Sequence, residues 1–264
     1  MLGAFFNWQV RVAFDRDQEM TDRPCPPADV SRSADLVAQL ARDTTGVHLL
    51  QYRPYPKQAR FHAVGGTHAV HPDCPPGCSG RPHRERMLMG ANQSGKTWCG
   101  AAEATLHLTG LYPPGWSGMR FTRPTRGWIG CDTFPNVRDG AQRVLVGEPK
   151  LESDWGRGLI PAHLLAGTAR ARGGVPDLLD YVLVKHTSGG ISTAAFKSYD
   201  QGRKRWQGET LDWVWFDEEP PEDIYLEGLT RTNATGGVVW LTFTPLEGMS
   251  RVVHAFIEDV GGLR

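Results

Sequence analysis

The run Gly90-Ala-Asn-Gln-Ser-Gly-Lys-Thr97 constrains this chain more than any other feature. It matches G-x-x-x-x-G-K-[ST] in full, a pattern that works only where a buried strand feeds it and a helix leaves it. Both flanks are present. Arg84-Glu-Arg-Met-Leu-Met-Gly90 is a short apolar run ending in glycine, and the stretch from Thr97 to Leu108 is rich in helix formers. Gly90 and Gly95 allow a tight turn whose backbone N–H groups point at phosphate, and the positive end of the following helix adds to that field. In such a loop Lys96 reaches the β- and γ-phosphates and the Thr97 hydroxyl takes Mg²⁺. Gly90, Asn92, Gln93, Ser94, Gly95, Lys96 and Thr97 are therefore the candidate nucleotide-binding residues of the loop.

The rest of the chain reads as the sheet such a loop needs. Gly127–Asp132, Leu211–Asp217 and Val238–Phe243 are apolar strands, and Tyr181–Lys185 and Ile191–Lys197 form a strand pair around Gly189-Gly190. Strands alternating with helices imply an α/β fold, a mostly parallel sheet covered by helices on both faces, with ligands at the carboxyl ends of the strands. Trp213-Val-Trp-Phe-Asp217-Glu218-Glu219 is a buried strand running into three acids. Asp217 is placed to hold Mg²⁺, directly or through water. Glu218 is placed as general base for the water that attacks the γ-phosphate, and Glu219 reads as structural or surface.

Composition removes other classes. The chain has 264 residues, with 29 basic and 29 acidic side chains and 40% hydrophobic content. It is too apolar and balanced for disorder. No run of about 18 uncharged apolar residues spans a membrane, and no signal peptide is evident. Five cysteines without an export signal suit a reducing compartment.

Three further features are weaker. Gln58, in Tyr52-Arg-Pro-Tyr-Pro-Lys-Gln58-Ala-Arg-Phe61, has an amide able to pair with an adenine edge, with Tyr55 or Phe61 to stack on the ring. Thr244 ends the last strong strand, where it can sense the γ-phosphate. Arg138 is a candidate arginine finger, as are Arg203 and Arg205, and Ser198–Gly208 mixes basic and aromatic residues in a pattern that suits nucleic acid or a neighbouring subunit. His71, Cys74, Cys78 and His83 fall in an irregular Gly/Pro-rich insertion, 64–83, as a candidate structural Zn²⁺ set. Cys99 and Cys131 read as small buried hydrophobes.

Taken in order, Gln58, the phosphate loop, Ser198–Gly208, Phe216-Asp-Glu-Glu-Pro-Pro221 and Thr242-Phe-Thr-Pro-Leu-Glu-Gly248 resemble the ATPase portion of the large terminase subunit of tailed bacteriophages. The resemblance spans roughly residues 50–258. It implies a RecA-like, ASCE-type P-loop NTPase with a small lid subdomain. The implied activity is that of a motor hydrolysing ATP with Mg²⁺ to drive double-stranded DNA into a procapsid. The implied partners are the portal protein and the small terminase subunit, with the subunits in a pentameric ring in the host cytoplasm. By that resemblance Lys96, Thr97, Asp217, Glu218, Gln58 and Thr244 carry nucleotide, metal, base, adenine and coupling roles.

Three departures stand out. Asn92 occupies a place where many large terminases have arginine. The 64–83 insertion is longer than usual. No strand-borne acid cluster follows Thr244, so no nuclease activity is expected of this chain. The expected organisation is an arm with a short helix from Ser33 in 1–48, an ATPase core in 49–250 and the start of a linker in 251–264. Competing readings are a nucleotide-dependent docking or assembly module, a helicase-like ATPase on nucleic acid and a zinc-stabilised DNA-binding protein.

Overall fold

The computed structural model describes residues 10–13, 48–68, 79–171, 174–245, 248 and 250–257. Eight strands form one sheet: β1 (Val10–Ala13), β2 (Glu85–Met89), β3 (Arg126–Cys131), β4 (Leu165–Arg170), β5 (Leu179–Lys185), β6 (Ile191–Ser198), β7 (Trp213–Asp217) and β8 (Val238–Phe243). Their spatial order is β1-β2-β8-β7-β3-β6-β5-β4. The five inner strands, β2, β8, β7, β3 and β6, are mutually parallel. β1 closes one edge antiparallel to β2, and the β4–β5 hairpin closes the other antiparallel to β6. The expected α/β fold with a mostly parallel sheet is thus observed, and every expected strand is present.

After a single helical turn at His48–Gln51, the longer helices are α1 (Pro56–Ala63), α2 (Lys96–Thr109), α3 (134–146), α4 (Glu222–Thr232) and α5 (Arg251–Ile257). α3 runs Phe134–Val137, a π turn Arg138–Gln142 and Arg143–Val146 without a break. Every residue of β7 and β8 is buried, as expected for strands covered on both faces. The period of two then divides the core. Trp213, Trp215 and Trp240 join the cluster under α2, while Val214, Phe216, Val239, Leu241 and Phe243 join the one under α4 and α5.

The segments read as arm and linker carry elements that were not anticipated. Val10–Ala13, within the segment read as an arm, pairs along β2. Val252, Val253 and Phe256 of α5, in the segment read as a linker, are buried in the second cluster. The helix expected from Ser33 lies outside the described residues.

Candidate functional site

Strand alternation aims the site. Asp217 follows Trp213 and Trp215 on the α2 face of β7, opposite Thr242 in the register with β8. Thr97, in the first turn of α2, donates its hydroxyl to Asp217 Oδ1 at 3.1 Å, and Thr242 Oγ1 donates to the same oxygen at 2.9 Å. The chain leaves the strand at Glu218 with φ 91°, a left-handed conformation that a non-glycine residue adopts at a cost of about 1–3 kcal/mol. That turn is held by Glu218 N–H donating to Thr242 O at 3.0 Å, and by the Tyr199 hydroxyl 2.7 Å from Glu218 O.

The loop between β2 and α2 faces these acids. Its left-handed residues are Gln93, at φ 60°, and Gly95, at φ 77°; Gly90 instead extends the sheet ladder by donating to Phe243 O at 3.2 Å. Lys96 Nζ donates back to Ala91 O at 2.8 Å and Ser94 Oγ to the same carbonyl at 2.6 Å. Gly95 caps α2 without any side-chain hydrogen bond, so the helix opens on uncapped N–H groups. Thr244 joins the two halves of the site. Its hydroxyl donates to Asn92 Oδ1 at 2.9 Å and its N–H to Glu218 Oε2 at 3.4 Å.

Burial governs the electrostatics. It pushes the Asp217 carboxyl up to about 7, against the hydrogen bonds from Thr242 and Thr97. Glu218 is raised by the same cause, and Lys96 is lowered by burial against the pull of both acids. A buried acid and a half-buried one, both resisting ionisation beside a single lysine, fit a hard cation. Thr97 Oγ1 and the Asp217 carboxylate supply oxygen donors of the kind Mg²⁺ takes alongside phosphate oxygens and waters. Asp217 Oδ2 has room on the side of Gly140, where a Cβ would stand 3.7 Å from it.

Gln58 sits at the rim. Its Oε1 accepts Tyr55 N–H at 2.9 Å and its Nε2 donates to Gly95 O at 3.0 Å, tying α1 to the loop. A cleft of ≈ 940 Å³ opens there, lined among others by Tyr55, Lys57, Gln58, Ser94, Gly95 and Trp98. Tyr55 is exposed at this cleft, whereas Phe61 has no exposed surface and packs under Arg86 in the core, so the stacking role considered for it does not hold. Trp98, 43% exposed, was not foreseen as a cleft residue.

Arg138 Nε and Nη2 donate to Asp139 at 2.7 and 2.8 Å, and Nη1 to Pro176 O at 3.1 Å, so its guanidinium is already engaged. Arg203 pairs with Glu227 at 2.8 Å. The aromatics of 198–208 belong to the core: Trp206 is fully buried and stacks on Phe216 at 5.4 Å. Of the candidate zinc ligands, His71, Cys74 and Cys78 lie outside the described residues, and burial with nearby His68 and Arg86 lowers His83 to about 4. No group of three or more His, Cys, Asp or Glu is arranged for a metal ion among the described residues. Thr242 and Trp215 were legible only as strand residues; their signal is the parallel register opposite Asp217.

Fold and site together define a mostly parallel α/β protein with a lysine-bearing glycine loop facing two strand-end acids. The family described as "Terminase large subunit, T4likevirus-type, N-terminal" matches residues 87–261, and the chain belongs to it. It is 42% identical over 230 residues to the terminase large subunit of Salmonella phage P22, covering 80% of this chain and 43% of that protein. It is 30% identical over 144 residues to the terminase large subunit of Enterobacteria phage LP7, covering 50% and 28% respectively. The chain thus spans less than half the length of these relatives. The large terminase of a thermophilic bacteriophage, a solved structure, aligns at TM-score 0.40 and 16% identity over 58% of this chain and 32% of that one. No helix among the described residues is long and apolar enough to cross a membrane.

Proposed function

We propose that this chain is the ATP-hydrolysing motor portion of a DNA-packaging terminase, with a RecA-like P-loop core over residues 49–250. The observation that carries this reading is the convergence of Lys96, Thr97, Asp217 and Glu218 at one end of the sheet. The loop N–H groups and Lys96 bind and orient the phosphates. Thr97 and Asp217 hold Mg²⁺, which supplies neutralisation of charge developing on the β- and γ-phosphates. Glu218 orients a water and takes its proton as the water oxygen bonds the γ-phosphorus and the bond to the ADP oxygen breaks. Thr244, bonded to Asn92 and Glu218, reports the state of the γ-phosphate to the end of β8. Gln58 and the cleft beside it receive the adenine.

Family membership supports double-stranded DNA, the portal protein and the small terminase subunit as partners, in a pentameric ring in the host cytoplasm. Arg138 is already bonded to Asp139, which suits a finger that must be released or supplied by a neighbour; turnover then depends on assembly. The test is ATP hydrolysis against protein concentration, with and without duplex DNA, for the wild type and Glu218→Gln. Turnover should rise with concentration and fall at least about 100-fold in Glu218→Gln, while ATP binding persists. Tight ATP binding with no turnover under any condition would favour the docking module instead.

A further inference from the structure

Trp215 stands two residues before Asp217 on the same face of β7, fully buried against α2. The fit is close: a Cβ on Gly100 would come within 2.4 Å of the indole. Its Nε1 lies 2.7 Å from Thr242 Oγ1. An indole nitrogen only donates. The Thr242 hydroxyl must therefore accept from Trp215, and its single hydrogen goes to Asp217 Oδ1 at 2.9 Å. Thr97 donates to the same oxygen. The chain Trp215 to Thr242 to Asp217 thus has one direction only. It ends on Oδ1 and leaves Oδ2 toward the space beside Gly140.

We propose that Trp215 is a positioning residue for the cation: acting through Thr242, it fixes the Asp217 carboxylate with Oδ1 turned into the protein and Oδ2 presented to Mg²⁺. This rests on the nucleotide site proposed above. Partners of this kind orient a metal ligand without touching the metal, and their loss costs about 10–100-fold in metal affinity.

The test is electron paramagnetic resonance titration of the full chain with Mn²⁺ in the presence of ATPγS. Trp215→Phe removes the donor and keeps an aromatic ring; Thr242→Val removes the hydroxyl and keeps the shape. Both should bind Mn²⁺ about 10–100-fold more weakly, while Thr242→Ser stays near wild type. ATPγS affinity in EDTA should be unchanged in all of them. Should Trp215→Phe not fold, the contrast between Thr242→Val and Thr242→Ser decides the matter. Folded Thr242→Val that holds Mn²⁺ within about twofold of wild type overturns the relay and leaves the nucleotide site standing. A wild-type chain that takes no Mn²⁺ with nucleotide overturns the site and the relay together.

Discussion

Glu103 has no exposed surface, yet it sits on a helix buried nearly all round. It is held by charge. Arg86 reaches both of its oxygens, at 3.0 and 2.5 Å; His62 Nδ1 lies 2.8 Å away, and His107 Nε2 lies 3.4 Å away. Burial favours the neutral carboxyl, but Arg86, His107 and His62 outweigh it and hold Glu103 well below the usual carboxylate range. Burial also opposes charge on His62, but Cys99 and Glu103 prevail and raise it to about 9. The signs give stability two limbs. Below the ordinary carboxylate value of 4.5 the Glu103 contribution is lost as pH falls. The His62 contribution is complete below 6.5 and is lost as pH rises through about 9. Urea midpoints across pH should show both losses. The alkaline limb, on the order of 3 kcal/mol, should flatten in His62→Gln. Tyr52 and Cys99 also face this ring, and Arg86 and His107 reach it through the shared Glu103 carboxylate. Glu103→Gln should cost about 3–5 kcal/mol, because it leaves Arg86 buried without its counter-charge. None of this was legible in the sequence. Arg86, His62 and Glu103 meet only through the fold, and Cys99, read as a buried hydrophobe and indeed buried, also touches His62 at 3.4 Å.

At the scale of elements, legibility tracked periodicity. β7 and β8 are continuous apolar runs, and Gly95-Lys96-Thr97 opens a helix, so the loop and both acids fell where their spacing puts them. β4 was missed because Leu165-Ala-Gly-Thr-Ala-Arg is a half-exposed edge strand with a weak apolar signal. The π turn in α3 has no local signature, yet it sets Gly140 beside Asp217 Oδ2. Such turns recur at functional sites, and Gly140→Ala tests this one. An added methyl stands at ordinary contact distance, 3.7 Å from that oxygen, and relieves a helical glycine of about 0.5–1 kcal/mol of backbone entropy. The thermal midpoint should rise while Mg²⁺-dependent nucleotide binding weakens. A raised midpoint with Mg²⁺-dependent nucleotide binding unchanged would refute the view that this space belongs to the cation.

At the scale of the whole molecule, the site is made by chain segments far apart in sequence. Tyr55 and Gln58 come from α1, the loop follows β2, the acids end β7 and the threonines end β8. The strand order carries a consequence for how the molecule is made. β2 lies between β1 and β8, and Met87 pairs with Leu241, so a strand near the start of the core waits for one near its end. Such long-range parallel pairing forms slowly, because loop closure precedes any gain from contact. A nascent chain therefore carries its glycine loop on a half-paired strand until β8 has emerged. A chain ending at Gly237 should leave the amides of β2 and β7 open to hydrogen exchange and should not bind ATP. During synthesis, the loop end of the sheet is completed only when β8 joins β2 and β7.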